Sequence, residues 1–289
     1  MRRRLFGGSL LAAFVVATGA CGAPEGPSSA ASSSTSTPST SVTSRASPTS
    51  TKPSVGLARD VRRVVADHPD ADIALAYAPV GGGVPVVVGD APPLVAWSTI
   101  KVPLALAVVR AGDGERLSTD ITSALTASDN EAAARLWESL GDGASASGAV
   151  EEQLRRGGDR RTGVPSRVVV EGYSPFGQAT WRLTDQTRMT SALPCLSGSR
   201  PVTTAMGQVV DGQRWGLGGI AGSRYKGGWG STPEGYVVRQ LGIVPGEGGR
   251  TAVTLQVRTG THAQGTAIAD QLAQVVRRHR DELPAGACS

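Results

Sequence analysis

Hydrophobic positions fall into three regimes along the chain. Residues 5–17 form a continuous apolar run, residues 22–54 carry almost no large apolar side chain, and from Val55 onward apolar residues recur with helical or strand periods. In the third regime Leu57, Val61, Val64 and Val65 share one helical face among arginines, which predicts a helix over 55–67 ended by His68-Pro69. Residues 73–78 and 84–88 read as two strands joined by the Gly81-Gly82-Gly83 turn. Residues 97–109 are strongly apolar and helical, with Pro103 near the start, where proline is tolerated. Helices are also predicted over 119–126, 131–140 and 184–193, while 141–180 reads as a polar, Arg/Gly-rich stretch without an element. The C-terminal third reads as strands over 223–229, 236–244 and 251–258, rich in Val, Leu and Thr. A helix over 263–279 follows, with Ile268, Leu272, Val275 and Val276 on one face.

This order predicts an α/β (α+β) fold: one antiparallel sheet completed by both ends of the domain and flanked by helices, with a helical lobe inserted. The first regime is a targeting segment. Arg2, Arg3 and Arg4 form a basic start, and the apolar run is short for a membrane span. Gly19 and Ala20 precede Cys21, as in a bacterial lipobox, although Thr18 stands where a larger aliphatic residue is usual. The reading is a signal peptide over 1–20, with Cys21 lipidated and the product anchored on the extracytoplasmic face of the cell membrane. Ordinary signal cleavage, giving a secreted protein, is the other reading. Arg3-Arg4-Leu5-Phe6 leaves the twin-arginine and general export routes both open. The Ser/Thr/Pro-rich segment 21–54 cannot bury enough surface to offset ordering entropy and reads as a tether. Residues 55–289 are long enough for one large core or two intimately packed lobes.

Charge excludes one class of function. The formal +5 falls to +2 once the three arginines of the first segment are removed, so no nucleic-acid module is implied. Cys195 and Cys288 in an exported protein can pair as a disulfide; two separate buried thiols are the alternative. His68, His262 and His279 are scattered without ligand spacing, so no metal and no cofactor are implied, and a monomer is expected.

Three lysines stand against twenty-six arginines, and two of them sit in motifs. Arginine keeps its proton near neutral pH, whereas a buried lysine can release it. Lys101 closes Ser98-Thr99-Ile100-Lys101, Lys226 opens Lys226-Gly227-Gly228, and Ser128-Asp129-Asn130 lies between them. Taken singly, Ser98 could be a helix cap, Ser128-Asp129-Asn130 a cap for the next helix and Lys226 a solvated charge. The ordered set S-x-x-K, S-D-N, K-x-G is the signature of penicillin-interacting serine enzymes.

With Trp97–Leu104, 125–130 and 225–229 around these motifs, the chain resembles the serine β-lactamase and penicillin-binding protein superfamily, most of all class A β-lactamases. The resemblance spans 55–283 and implies the following roles. Ser98 is the nucleophile and Lys101 its base, with a pKa lowered by desolvation and neighbouring positive charge. Ser128 relays a proton to the leaving group. Asn130 holds the substrate amide and steadies Lys101. Lys226, with Gly228, receives the substrate carboxylate. The backbone N–H groups of Ser98 and Trp229 form the oxyanion hole. The substrate is then a β-lactam or a D-Ala-containing peptidoglycan stem, with small acyl esters as a further option.

Three departures qualify that inheritance. Only 30 residues separate Ser98 from Ser128, so one wall of the family's cleft is missing. The middle of Lys226-Gly227-Gly228 has no hydroxyl. No E-x-x-L-N motif occurs in 141–180, where Glu171, the carboxylate in the later part of the stretch, has the wrong context. The expectation is an acyl-enzyme that forms but breaks down slowly; the alternative is a non-catalytic envelope protein that keeps the fold for binding.

Overall fold

The computed structural model describes residues 54–288. The signal segment, Cys21 and the tether up to residue 53 lie outside the described residues. Chain order is α1 (Val55–Asp67), β1 (Asp72–Pro79), β2 (Val86–Gly89), β3 (Leu94–Val95), α2 (Lys101–Arg110), α3 (Ser118–Thr126), α4 (Asn130–Glu138) and α5 (Gly143–Arg156). Then follow β4 (Thr180–Trp181), α6 (Leu183–Ala192), α7 (Ser199–Ala205), β5 (Arg224–Thr232), β6 (Gly235–Gly246), β7 (Gly249–Thr259) and α8 (His262–Arg278).

Helix α1 starts where Ser54 Oγ accepts the Leu57 N–H at 3.1 Å, and it buries Leu57, Val61 and Val64. Strands β1, β6 and β7 are buried along most of their length, so they read as apolar runs and not as alternating ones. They pair in the antiparallel order β2-β1-β7-β6-β5, with Leu75 opposite Leu255 and Val238 opposite Val257. One sheet face is covered by α1 and α8, whose Leu57, Val61, Leu272 and Val276 pack on Leu75, Val238 and Leu255. The other face carries the inserted lobe, where α2 is buried from Lys101 to Val108 and so has no polar face.

The sequence reading differs from the structure at several elements. The predicted helix over 97–109 begins as a 3₁₀ turn, Trp97–Ile100, before α2 proper. The stretch over 141–180 contains a fourteen-residue helix, α5, whose inner face of Ala146, Val150 and Leu154 is spaced at four residues but diluted by Gly, Ser and Arg. The two-residue ladder of β3 and β4 and the short α7 also went unread, because neither is long enough to show a period.

The C-terminal end is tied both to the middle of the domain and to its start. Cys195 and Cys288 form a disulfide with Cα atoms 5.2 Å apart. Near α1, His279 Nε2 lies 2.9 Å from Asp60 Oδ2 and its Nδ1 lies 2.8 Å from Glu282 Oε1, while Ser54 Oγ donates to Glu282 Oε2 at 2.6 Å. Asp60 lowers its own pKa to about 2 chiefly through the His279 bond, and Glu282 is lowered chiefly by Ser54 and then His279. The same bonds, Asp60 first, raise His279 above its usual value. A raised histidine contributes stability that is present below its unfolded pKa of about 6.5 and fades as pH rises through the folded value; the lowered carboxylates contribute above their own unfolded values. The cluster is therefore most stabilising between about pH 4.5 and 6.5. Thermal melts should show the difference between wild type and His279→Gln shrinking as pH rises from 6 to 9. A difference that stays constant over that range would remove the cluster's role.

Candidate active site

The site begins with two strained turns. Trp97 has φ 47° and Ser128 has φ 59°, left-handed values that cost a residue with a Cβ on the order of 1–3 kcal/mol each. Trp97 immediately precedes Ser98. Ser128 immediately precedes Asp129, whose carboxylate accepts the Glu131 and Ala132 N–H groups at 2.8 and 3.1 Å and so starts α4. In Ser128-Asp129-Asn130 the middle residue is thus a helix cap. Its two neighbours are presented to the lysines.

Lys101 is almost fully buried, at 1% exposure. Its Nζ donates to Ser128 O at 2.6 Å, Asn130 Oδ1 at 2.7 Å and Asp129 O at 3.2 Å. Lys226, equally buried, donates to Ser128 Oγ at 2.9 Å and Gly227 O at 2.7 Å. Ser128 therefore joins the two lysines, through its carbonyl on one side and its hydroxyl on the other. The hydrogen-bond count assigns their charge states. Lys101 faces three oxygens that can only accept, which suits an ammonium with three N–H bonds. Lys226 faces two partners, and a neutral amine supplies two N–H bonds.

Burial argues the same way. Desolvation lowers Lys101 to about 8, while Asp129 pulls in the opposite direction. Lys226 is driven well below its usual value by desolvation first and by the Lys101 charge second. This corrects one expectation: neighbouring positive charge acts on Lys226, whereas Lys101 is lowered by burial.

Ser98 lies in the 3₁₀ turn, where residues i and i+3 eclipse, which brings it over Lys101. Among the described residues, no hydrogen bond reaches Ser98 Oγ; the three N–H bonds of Lys101 go elsewhere. Strand β5 comes close against the Ser98 turn because its glycines permit it. A Cβ on Gly228 would lie 2.9 Å from both the Ser98 and Thr99 nitrogens, and one on Gly230 would lie 2.7 Å from the Trp97 ring.

A cleft of about 410 Å³ opens over this centre. Ser98, Lys101, Asn130 and Trp229 line it, but Ser128, Gly228 and Lys226 do not. Lys226 sits behind Ser128, so a role for it at the substrate runs through that hydroxyl. Glu171 is exposed and absent from the wall, whereas its neighbours Gly172 and Tyr173 belong to it. Tyr173 stacks on Trp97 with ring centroids 5.0 Å apart.

Sequence reasoning passed over two charged residues. Glu131, directly after Asn130, is the carboxylate of the cleft wall. Arg239 is wholly buried beneath the Ser98 turn; its signal was one charged residue inside the apolar run 237–244.

The fold, with an antiparallel sheet flanked by helices and an inserted helical lobe, is the one seen in solved class A β-lactamases and in PBP-A. Solved structures with this fold include a class A β-lactamase from Mycobacterium abscessus (15% identity, TM-score 0.61), covering 78% of this chain and 99% of that one. Another is PBP-A (18% identity, TM-score 0.60), covering 80% of this chain and 98% of that one. A PBP-A mutant was solved as an acyl-enzyme complex with penicillin G. An ancestral class A β-lactamase matches at 18% identity and TM-score 0.58, over 77% of this chain and 99% of that one. No protein-family model and no curated protein matches the chain.

With three lysines in the chain, amine titration is resolvable by NMR of lysine-labelled protein. Lys101, assigned by loss of its signal in Lys101→Arg, should titrate near pH 8, and Lys226 should titrate lower. A Lys101 amine that keeps its proton above pH 10 would refute this electrostatic assignment.

Proposed function

We propose that the protein is a cell-envelope serine acyl-enzyme acting on β-lactams or D-Ala-type peptidoglycan stems, with Ser98 as nucleophile. The observation that carries the reading is the Lys101–Ser128–Lys226 hydrogen-bond chain, whose Lys101 end lines an open cleft together with Ser98. Attack by Ser98 needs a neutral base, and burial puts Lys101 within reach of that state at physiological pH. Once Lys101 is neutral it has a lone pair for the Ser98 proton and two N–H bonds for its three present acceptors. Ser128 can give its hydroxyl proton to the leaving nitrogen and take back the proton that Lys101 received from Ser98, while Lys226 holds the Ser128 oxygen. The N–H groups of Ser98 and Trp229 serve as oxyanion donors, an assignment supported by the close approach of β5.

Acylation should therefore speed up with pH, levelling off above about 8, since only the deprotonated fraction of Lys101 reacts. Deacylation should be slow, because Glu171 stands outside the cleft and a matching water-holding motif is missing. Intact-mass analysis after incubation with a penicillin panel should give a persistent adduct, lost in Ser98→Ala and nearly lost in Lys101→Arg. Glu171→Gln should change neither formation nor decay. Rapid turnover that depends on Glu131 or Glu171 would make the protein a β-lactamase in kinetics.

A second reading, a non-catalytic binder, is favoured by the unbonded Ser98 hydroxyl and the saturated Lys101 amine. No adduct with any β-lactam or activated ester would decide for it.

The proposed location is the outer face of the cell membrane, through a lipid on Cys21. The support is the basic, apolar and small-residue order before that cysteine. Cys21→Ala should move the protein from the membrane to the soluble fraction; equal membrane recovery would exclude the anchor.

A further inference from the structure

Arg239 has no counter-ion. It lies on β6, fully buried, on the face it shares with Leu241 and Ile243, and none of the ion pairs among the described residues includes it. Its Nη1 donates to Leu94 O at 2.9 Å, Val95 O at 3.1 Å and Trp181 O at 3.3 Å. Its Nη2 donates to Trp181 O at 3.2 Å and Gln186 Oε1 at 2.9 Å. Its Nε has no partner. Burial lowers the guanidinium to about 9, which leaves it charged at neutral pH. A buried ion without a carboxylate is costly to desolvate, and here the guanidinium offsets that cost by serving four buried acceptors, the carbonyls of Leu94, Val95 and Trp181 and Gln186 Oε1.

The hydrogen bonds lead to the nucleophile. Gln186 Nε2 donates to Thr99 Oγ1 at 3.0 Å, and Thr99 Oγ1 donates to Ala96 O at 2.5 Å. Thr99 follows Ser98, and Ala96 precedes the strained Trp97. Leu94 and Val95 enter the same turn from the other side. The guanidinium fork thus grips the chain before the turn directly and the turn itself through Gln186. We propose that Arg239 is a positioning residue for Ser98, holding the left-handed Trp97 and the N–H of Ser98 in register with β5 through Gln186 and Thr99. The catalytic part of this claim rests on the acyl-enzyme reading above; the positioning part does not.

Two variants separate positioning from simple stability. Arg239→Met removes the fork and the charge. Gln186→Glu gives Arg239 a counter-ion but removes the N–H bond to Thr99. Arg239→Met leaves the carbonyls of Leu94, Val95 and Trp181 unpaired and should melt below wild type, whereas Gln186→Glu keeps the fork and should melt close to it. In both, hydrogen exchange measured by mass spectrometry should accelerate in the peptide covering 94–101 and stay unchanged in β7. Acylation of Ser98 should fall roughly 10- to 100-fold at saturating substrate, with the half-saturating concentration unchanged. The double variant should be no slower than the slower single one, since both break one path. Unchanged exchange over 94–101 in both variants overturns the proposal, as does wild-type acylation in both. A loss of acylation confined to Arg239→Met, with Gln186→Glu as fast as wild type, also overturns it. If the wild type itself is never acylated, the acyl-enzyme reading fails and the exchange result alone decides the positioning claim.

Discussion

Two lysines buried around one serine set the terms for everything near the cleft. Two ammonium groups in so dry a place are both disfavoured: burial lowers each amine, and the Lys101 charge lowers Lys226 further. Ser128 can serve both only because its backbone is turned left-handed, aiming its carbonyl at Lys101 while its hydroxyl meets Lys226. That turn in turn depends on Asp129, which spends its carboxylate on starting α4. A helix cap, a strained residue and a split pair of amines form one mechanical unit.

The apolar sheet and the apolar middle of α2, Val102 to Val109, give that unit its rigidity. Helix α2 is enclosed by other elements on every side, so Lys101 at its first position has no route to water except through the cleft. The burial that lowers the amine is thus set by the hydrophobic core of the inserted lobe, with no separate device. Access from outside is bounded by aromatic rings: Trp97 against Tyr173 on one side and Trp229 against Trp215 on the other.

Much of this was legible in the sequence because the elements obey simple periods. Leu57, Val61 and Val64 mark α1, and the Val-rich runs mark β6 and β7, where burial on both faces removes alternation. The motif serines and lysines were legible because lysine is scarce in this chain. Helix α5 was hidden because its inner face is mostly alanine and valine at wide spacing. The charge states of the lysines were not readable, since they follow from which carbonyls each amine meets after folding. Arg239 was visible as a letter but not as a buried cation, for its acceptors come from two segments far away in sequence, 94–95 and 181–186.

The glycines of β5 carry a consequence for how this protein can change over time. Residues 228 and 230 press on the backbone of the Ser98 turn and the Trp97 ring, so a side chain at either would lever the strand away from Ser98. Residue 229, between them, faces the cleft and other aromatic rings. Drift in specificity therefore has one open position flanked by two closed ones. The strand works as a fixed rail with one exchangeable tooth.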